Sequence, residues 1–409
     1  MSIRRIHLVA ILLIILEASF GFYIIRYTFR MKKYVWIYQS EDEITCIDAT
    51  STGSYIGVGD VSGSISLVTR GRSYPRWRYQ GDVDFLSIHL MSTGDFLAAL
   101  SSNDTISLFS HSSHLRDGKG HPLWTHHIPS TRLRGIYSTG GTPTFVYVVA
   151  SSGGRIVLLS KTGERLWEHE TGAQNVLTTI SEDGSYIAAG DSDGNIQIFK
   201  LKSSTPFWPY PTGSMIVSVA ISFDSKFVVA GGLNGEGKGE IYLLSLNDGQ
   251  LIHNSQFERP IRTVHISYNR EYVIADKEDG TAIIIHYEEN SISEDILNVP
   301  NGIRSILFSQ FGSFVAASNN DCDVYLHYIL RPAPLWKFST QDGEPLMDLT
   351  RKGDYVFVAT SDKVHLLSNT AMTEMIPGSR VGWAAVFFLG ALSSIVLTRG
   401  RQIFARASV

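Results

Sequence analysis

The chain has 409 residues, a formal net charge of −4 at pH 7 and two cysteines, Cys46 and Cys322. This balance lacks the basic excess that marks a nucleic-acid-binding surface. Two cysteines so far apart in the sequence indicate neither a disulfide framework nor a zinc site. A chain of this length has room for two or three domains, so the domain count depends on internal repeats.

The chain begins with a short tail, residues 1–5, followed by an almost uniformly apolar segment, residues 6–25. As an α-helix this segment spans about 30 Å, which is enough to cross the hydrocarbon core of a bilayer. We therefore predict a first transmembrane helix at 6–25 and a basic linker at 26–33. The alternative is a cleaved signal peptide, but no convincing small-x-small cleavage site follows the apolar run.

Residues 34–370 contain eight copies of one pattern. In the clearest copy, residues 176–201, three short strands are separated by turns that contain Asp183-Gly184 and Asp193-Gly194. Asp-Gly pairs favour tight hairpin turns because glycine adopts positive φ without a steric clash. The copies begin at Ile44, Val83, Leu133, Val176, Ile216, Ile261, Ile303 and Leu346. Their mean period, roughly 43 residues, is typical of four-stranded propeller blades.

A tryptophan marks the fourth strand of most copies. These residues are Trp36, Trp77, Trp124, Trp167, Trp208 and Trp336, and two copies lack the residue. Their periodic positions predict packing between blades rather than stacking on a cofactor. Trp36 precedes the first copy instead of following the last. We therefore predict that an N-terminal strand completes the last blade, which closes the ring and removes its open edges.

The chain ends with a linker, residues 371–380, an uncharged apolar segment, residues 381–397, and a basic tail, residues 398–409. We predict a second transmembrane helix at 381–397, with a buried core strand or helix as the alternative. Because the first helix feeds the closing strand and the second leaves the last repeat, both should emerge beside one blade. They would form a hairpin-like anchor with both termini on the membrane side opposite the propeller.

Glu17 is the one acidic residue of the first apolar segment. A carboxylate within a bilayer costs about 2.5 kcal/mol or more and therefore needs a partner or a proton. One interpretation is a protonated Glu17 that bonds to Ser393 or Ser394 within the helix pair. The other is a contact with another membrane subunit. Gly390 and Ser394 form a small-xxx-small face suited to close helix packing.

Basic residues do not settle the orientation, because five lie near the termini and five on the propeller side. The first segment resembles an uncleaved signal anchor, with basic residues ahead of a long apolar run. On that ground we expect cytosolic termini and an extracytoplasmic propeller. The sequon Asn103-Asp104-Thr105 is compatible with this location.

The repeat resembles those of the WD-repeat and pyrroloquinoline-quinone-type (PQQ-like) β-propellers. Residues 158–171, LLSKTGERLWEHET, are similar to the PQQ-like pattern of a strand, a Thr-Gly turn and a Leu-Trp pair. Residues 245–253 are a weaker copy, and residues 181–187 are similar to part of a WD repeat, although the Trp-Asp dipeptide is absent. The resemblance implies a propeller fold. It leaves open membrane-assembly scaffolds, interaction hubs and quinoprotein dehydrogenases.

Several segments superficially resemble ligand sites. Residues 191–195 lack the glycine and glutamate spacing of a calcium loop, and residues 231–239 lack the Gly-Lys-Ser/Thr sequence of a P-loop. We predict hairpin turns for both. Five histidines crowd one connection without the spacing of a common zinc motif: His111, His114, His121, His126 and His127. A quinoprotein active site needs an acidic base, calcium ligands and a stacking tryptophan at the centre of the ring, and we cannot assemble that set from this sequence.

The sequence thus predicts an all-β protein, an eight-bladed β-propeller closed by an N-terminal strand and flanked by one transmembrane helix at each end. We expect a non-catalytic scaffold without cofactor or metal, an accessory subunit of an integral-membrane complex. Protein partners would dock on loops such as 110–122 and 233–239. A quinoprotein-like dehydrogenase and a ligand-binding sensor are the alternatives.

Overall fold

The computed structural model describes residues 34–111, 118–128, 133–138, 146–268, 271–288, 291–329, 331, 333–340 and 343–369. All regular elements within these ranges are β-strands. Residues Trp36–Leu367 form one compact unit. The strands are short and rich in β-branched and aromatic residues, and Gly, Asp, Asn and Ser fill the turns between them, as strand and hairpin formation requires.

The strands form eight four-stranded antiparallel sheets. Blade 1 contains β2 (Ile44–Ala49), β3 (Tyr55–Asp60), β4 (Ser64–Thr69) and β5 (Pro75–Gln80). Blade 2 contains β6 (Phe85–Leu90), β7 (Phe96–Ser101), β8 (Thr105–Ser110) and β9 (Pro122–His127). Blade 3 contains β10 (Leu133–Ser138), β11 (Tyr147–Ser152), β12 (Arg155–Ser160) and β13 (Arg165–Glu170). Blade 4 contains β14 (Val176–Ile180), β15 (Tyr186–Asp191), β16 (Asn195–Lys200) and β17 (Pro206–Pro211).

The remaining blades follow the same order. Blade 5 contains β18 (Met215–Ile221), β19 (Phe227–Leu233), β20 (Gly239–Ser245) and β21 (Leu251–Phe257). Blade 6 contains β22 (Ile261–Ile266), β23 (Tyr272–Lys277), β24 (Ala282–Glu288) and β25 (Ser291–Leu297). Blade 7 contains β26 (Ile303–Phe308), β27 (Phe314–Asn319), β28 (Asp323–Tyr328) and β29 (Trp336–Ser339). Blade 8 contains β30 (Leu346–Leu349), β31 (Tyr355–Thr360), β32 (Lys363–Ser368) and the N-terminal strand β1 (Tyr34–Gln39). The predicted all-β, eight-bladed β-propeller is confirmed.

Strand β1 is the outer strand of blade 8, where it pairs with β32. The backbone amide of Ser40 donates to the carbonyl of Asp362 (2.7 Å), and that of Ile44 donates to Ser361 (2.6 Å). The end of β1 therefore lies beside the start of β32. Because the two strands are antiparallel, the start of β1 and the end of β32 lie at one end of blade 8. The N-terminal segment thus supplies the strand that completes the ring.

The hydrophobic core is divided into eight clusters, and each cluster joins two neighbouring blades. The cluster between blades 8 and 1 contains Trp36, Ile56 and Phe357, all buried. Full burial of a side chain of this size contributes about 1.5–3 kcal/mol. Each blade is therefore stabilised mainly by its neighbours, and closure of the ring adds the eighth interface.

Antiparallel pairing gives the propeller two distinct faces. With the strands of each blade labelled A to D from the axis outward, the A–B and C–D turns lie at one end of the blade. The B–C turns and the D–A connections lie at the other. We call these ends the A–B/C–D face and the B–C/D–A face. The start of β1 and the end of β32 lie on the A–B/C–D side of blade 8.

Both predicted transmembrane segments, their linkers and the tails lie outside the described residues, and so do Glu17, Gly390, Ser393 and Ser394. Within the described part of the chain, no helix has the length and apolar character needed to cross a membrane.

Candidate functional site

The outer-strand tryptophans bind the blade that follows. Four of them donate the indole N–H to a backbone carbonyl in or beside the next blade's C–D turn. The pairs are Trp36 with Arg72 (2.7 Å), Trp124 with Lys161 (2.8 Å), Trp167 with Leu201 (2.7 Å) and Trp208 with Leu246 (2.9 Å). Each side chain thus links two blades through a polar as well as an apolar contact.

Two glycines allow these turns to approach the indole rings. Gly163 and Gly249 have φ values of +81° and +70°. A Cβ atom at either position would lie 2.8 Å from the ring of Trp124 or Trp208. Glycine is needed at both places because of the positive φ and of this close approach.

The other two tryptophans are buried in clusters between blades. Trp77 lies in the cluster of blades 1 and 2, and its ring centroid is 5.5 Å from that of Phe109 in blade 2. Trp336 is 5% exposed in the cluster of blades 7 and 8.

The A–B turns are joined to one another around the axis. Backbone amides donate to carbonyls of the next turn at four successive junctions: Asp224 to Tyr268 (3.4 Å), Tyr268 to Gln310 (2.8 Å), Phe311 to Arg351 (3.3 Å) and Arg351 to Ser51 (3.0 Å). These bonds connect blades 5, 6, 7, 8 and 1. The inner ends of the blades are therefore fixed relative to one another.

Arg351 reaches across the axis. Its guanidinium contacts Glu182 of blade 4 (2.7 Å) and donates through Nε to the side chain of Gln310 in blade 7 (2.7 Å). It also lies over the ring of Phe223 in blade 5, at 4.3 Å from the centroid. Blades 4 and 8 are opposite in a ring of eight. One planar, always charged side chain thus ties together blades on both sides of the axis.

Aromatic residues extend this arrangement towards solvent. The ring centroids of Phe223 and Tyr268 are 5.1 Å apart, and those of Tyr268 and Phe311 are 6.1 Å apart. Tyr268 and Phe311 are 41% and 47% exposed. We call Glu182, Phe223, Tyr268, Gln310, Phe311 and Arg351 the axial cluster. It combines a partly shielded ion pair with an exposed aromatic surface at the centre of the A–B/C–D face.

A second polar cluster lies on the inner strands of blades 8, 1 and 2. The carboxylate of Asp348 accepts from the amide of Ala49 (2.5 Å), and that of Asp48 accepts from the amide of Leu90. His89 Nδ1 lies 3.3 Å from Asp48. Each carboxylate therefore accepts a hydrogen bond from the backbone of the next blade.

The environment of these carboxyls raises their pKa. Burial raises the pKa of Asp48 to about 7. Burial and the nearby charge of Asp48 raise the pKa of Asp348 well above its ordinary value. Because two adjacent, partly buried carboxylates repel each other, the pair retains a proton at a pH where fully exposed carboxyls are ionised.

The crowded histidines, for which the sequence favoured no metal site, have different surroundings where they are described. His111 packs edge-on against Tyr55 and contacts the carbonyl of Gly94, and burial lowers its pKa. His126 and His127 are consecutive in β9 and point to opposite faces. His114 lies outside the described residues. Among the residues whose positions are described, no group of three His, Cys, Asp or Glu side chains could hold a metal ion.

The other candidate segments form turns. Asp191 accepts from the amides of Asp193 (3.0 Å) and Asn195 (2.8 Å), so local backbone groups occupy its carboxylate. Asn234 similarly caps the turn between β19 and β20 by accepting from Glu236 and Lys238. Both segments are hairpins, as predicted. Cys46 is buried, and burial raises the pKa of its thiol to about 12.

The loop predicted at 110–122 borders a cavity of about 260 Å³ at the rim between blades 1 and 2. Its lining includes Arg72, Arg76, Trp77 and His111. Residues 112–117 of the loop lie outside the described ranges.

The axial cluster and the carboxyl cluster were both missed from the sequence. A signal was available, because the copies can be aligned on the Ser or Thr that starts most A–B turns. Glu182, Phe223, Tyr268, Gln310 and Arg351 then share the next position. Asp48, His89 and Asp348 share the position two residues before the first residue of the turn. Positions shared by all blades meet around the axis of a closed ring.

Comparisons with known proteins agree on the fold. A family model described as "beta-propeller protein" matches residues 142–371. No curated protein matches the chain. The chain is similar to the Dos1 propeller, with a TM-score of 0.63 and 12% identity over 83% of this chain and 95% of that one.

Two further solved structures are similar. The computationally designed Ika8 protein gives a TM-score of 0.63 and 14% identity over 81% of this chain and 97% of that one. A chain of a mitotic checkpoint complex gives a TM-score of 0.54 and 12% identity over 83% of this chain and 95% of that one. At these identities the likeness shows the fold alone.

Proposed function

Because the chain belongs to the β-propeller protein family whose model matches it, we propose that it is a non-catalytic, membrane-anchored scaffold for protein partners. It would serve as an accessory subunit of an integral-membrane complex. The observation that carries this proposal is the construction of blade 8. The start of β1 and the end of β32 lie at one end of that blade. The chain continues from there towards the apolar segments 6–25 and 381–397.

The cross-linked ring supports a scaffold role. Indole hydrogen bonds join blades at the rim, and the axial cluster joins blades 4, 5, 7 and 8 near the axis. A partner that binds turns of several blades then meets a surface that is already ordered. This reduces the entropic cost of association. Turns can differ between blades without disturbing the strands, so propellers suit this role.

The finer assignment to the WD-repeat and PQQ-like propellers is part of the proposal. It rests on residues 158–171, where the Thr162-Gly163 turn precedes Trp167. In support, Gly163 lies against Trp124, and Trp167 donates to Leu201 of the next blade. The same turn-and-tryptophan unit therefore forms two successive blade contacts.

We also propose that the propeller is extracytoplasmic and that both termini are cytosolic. This rests on the signal-anchor character of the first apolar segment. The sequon residue Asn103 supports it, because it lies in an exposed B–C turn on the face opposite the two chain ends. A modifying enzyme could reach that turn.

Affinity purification of the full chain in mild detergent, followed by mass spectrometry, tests the scaffold role. We expect a defined set of integral-membrane proteins to co-purify. We expect Glu236→Ala combined with Lys238→Ala, in the exposed 234–238 turn, to reduce their recovery several-fold. Lys202→Ala, in an exposed C–D turn, is the matched control and should leave recovery unchanged. Recovery of no membrane protein above a mock purification would contradict the proposal.

A further inference from the structure

The A–B/C–D face exposes a repeated set of apolar side chains at its rim. Leu123, Leu166, Phe207 and Ile252 each occupy the second position of an outer strand, in blades 2 to 5. All four are exposed by more than a third. Because strands rise about 3.3 Å per residue, these side chains lie at one height, within two residues of the C–D turns.

Apolar side chains are exposed elsewhere on the same face. Tyr268 and Phe311 of the axial cluster project from A–B turns and are nearly half exposed. Tyr74, in the C–D turn of blade 1, is 60% exposed. Exposed apolar groups at both the rim and the axis of one face fit a broad partner better than a narrow peptide or a small ligand.

The two faces differ in charge. Among the described residues that connect strands, the B–C/D–A face carries fourteen carboxylates and only two Lys or Arg residues. Glu41, Asp42, Glu43, Asp82 and Asp84 form part of this excess. The corresponding turns of the A–B/C–D face carry nine basic and eight acidic residues. An anionic surface would therefore repel the B–C/D–A face far more strongly than the A–B/C–D face.

The chain ends limit how far the A–B/C–D face can lie from a membrane. Residues 26–33 are the only link between the apolar segment 6–25 and β1. Eight residues span at most about 28 Å when fully extended. Strand β1, which follows this link, begins at the A–B/C–D side of blade 8.

We propose that the A–B/C–D face lies against the surface of a lipid bilayer, with the rim side chains, Tyr268 and Phe311 in the interfacial layer. The orientation rests on the membrane anchoring proposed above. It matches the preference of aromatic residues for the headgroup region. The acidic B–C/D–A face then points away from the membrane and is the face available to a protein partner.

The test uses the full chain reconstituted into vesicles of phosphatidylcholine with phosphatidylserine, in a Cys322→Ser background with Cys46 left buried. A fluorophore is attached at Leu166→Cys or Phe311→Cys on the A–B/C–D face. The controls are Val61→Cys and Leu86→Cys, equally exposed on the other face. We expect headgroup-labelled quencher lipids to quench the first pair at least about twofold more than the second.

Equal quenching of the two pairs in protein that resists alkaline extraction would overturn this orientation and leave the anchoring intact. Release of the protein by alkali would contradict the anchoring itself. Quenching that appears only when another protein is added would also overturn the inference, because a protein would then cover the face. Leu166→Glu with Phe207→Glu should abolish the preferential quenching at Phe311→Cys, whereas Val61→Glu with Leu86→Glu should preserve it.

Discussion

Trp208 illustrates at the scale of one residue how the blades are joined. Its ring packs against Gly249, and its indole nitrogen donates to the carbonyl of Leu246 at 2.9 Å. Both partners belong to blade 5, whereas Trp208 belongs to blade 4. The side chain therefore stabilises the interface between blades.

Trp208→Phe keeps an aromatic ring and removes the donor. We expect a loss of about 1–3 kcal/mol in the free energy of unfolding, because the carbonyl of Leu246 stays buried without its partner. Denaturant unfolding of the full chain in detergent, followed by circular dichroism, measures the change. Lys202→Ala on an exposed turn of the same blade should shift it by less than about 0.5 kcal/mol. Equal shifts would show that the indole bond contributes nothing specific.

The Asp48–Asp348 pair should make stability depend on pH. Both carboxyls have a pKa above the unfolded value, so the folded state binds more protons than the unfolded state between that value and the raised pKa. The stabilisation from these protons is fully present below about pH 4 and is lost as the pH rises through about 7. His89 faces Asp48 and is the titratable neighbour on blade 2.

Asp348→Asn removes one of the two titrating groups and can still accept from Ala49. We expect the variant to be more stable than the wild type at pH 8, by about 1–3 kcal/mol, and to lose the part of the slope between pH 5 and 8 that Asp348 contributes, whereas the burial of Asp48 preserves the rest. Melting temperatures across this range measure both effects. Asp354→Asn, in a turn of the same blade, is the control. An unchanged slope in Asp348→Asn would contradict the assignment.

At the scale of secondary-structure elements, β1 decides whether blade 8 has four strands. Trp36 points into the cluster between blades 8 and 1, and Ile37 on the other side of β1 is 45% exposed. We expect Trp36→Ala to destabilise the chain by about 3–5 kcal/mol, because it leaves a cavity and removes the bond to Arg72. Ile37→Ala should cost far less.

Hydrogen exchange locates the effect of these two variants. Trp36→Ala should raise exchange first in β32, which pairs with β1, and leave blades 3 to 6 protected at early times. Uniform acceleration around the ring would argue against a local role for the closing strand.

The A–B turns act together through Arg351. Arg351→Ala removes contacts to blades 4, 5 and 7, and we expect a loss of about 1–3 kcal/mol because Glu182 loses its cationic partner. Lys352→Ala, exposed in the same turn, is the matched control. Amide exchange should increase at the A–B turns of blades 4 and 7 in Arg351→Ala alone. Protection that stays unchanged there would show that the turns are held by their backbone bonds only.

At the scale of the whole molecule, the architecture was predictable from the sequence because the chain repeats itself. Eight copies with one period predict eight blades, and the displaced Trp36 predicts the strand that completes the last one. The structure confirms the propeller. The blades form a ring because each copy can bury its apolar face only against a neighbouring copy. The predicted helices stay predictions, because 6–25 and 381–397 lie outside the described residues.

Aligning the copies shows which positions line the axis, but the pairing of particular side chains across the axis was beyond such reasoning. Arg351 and Glu182 are 169 residues apart, and their meeting depends on the ring diameter and on side-chain reach. Asp48 and Asp348 interact because blade 8 lies beside blade 1, and no local pattern in either strand marks them as a pair. Periodicity predicts which positions recur around the axis. It does not predict which residue types interact there.

Membrane topology is the most direct test of the central claim that the propeller is anchored by the apolar segments 6–25 and 381–397, which connect to one end of blade 8. Ser2→Cys, Asn103→Cys and Ser408→Cys, each in a Cys322→Ser background, can be labelled with a membrane-impermeant maleimide in sealed, oriented vesicles. The account predicts that positions 2 and 408 react on one side of the membrane and position 103 on the other, in protein that resists alkaline extraction. Labelling of all three positions on the same side would contradict it.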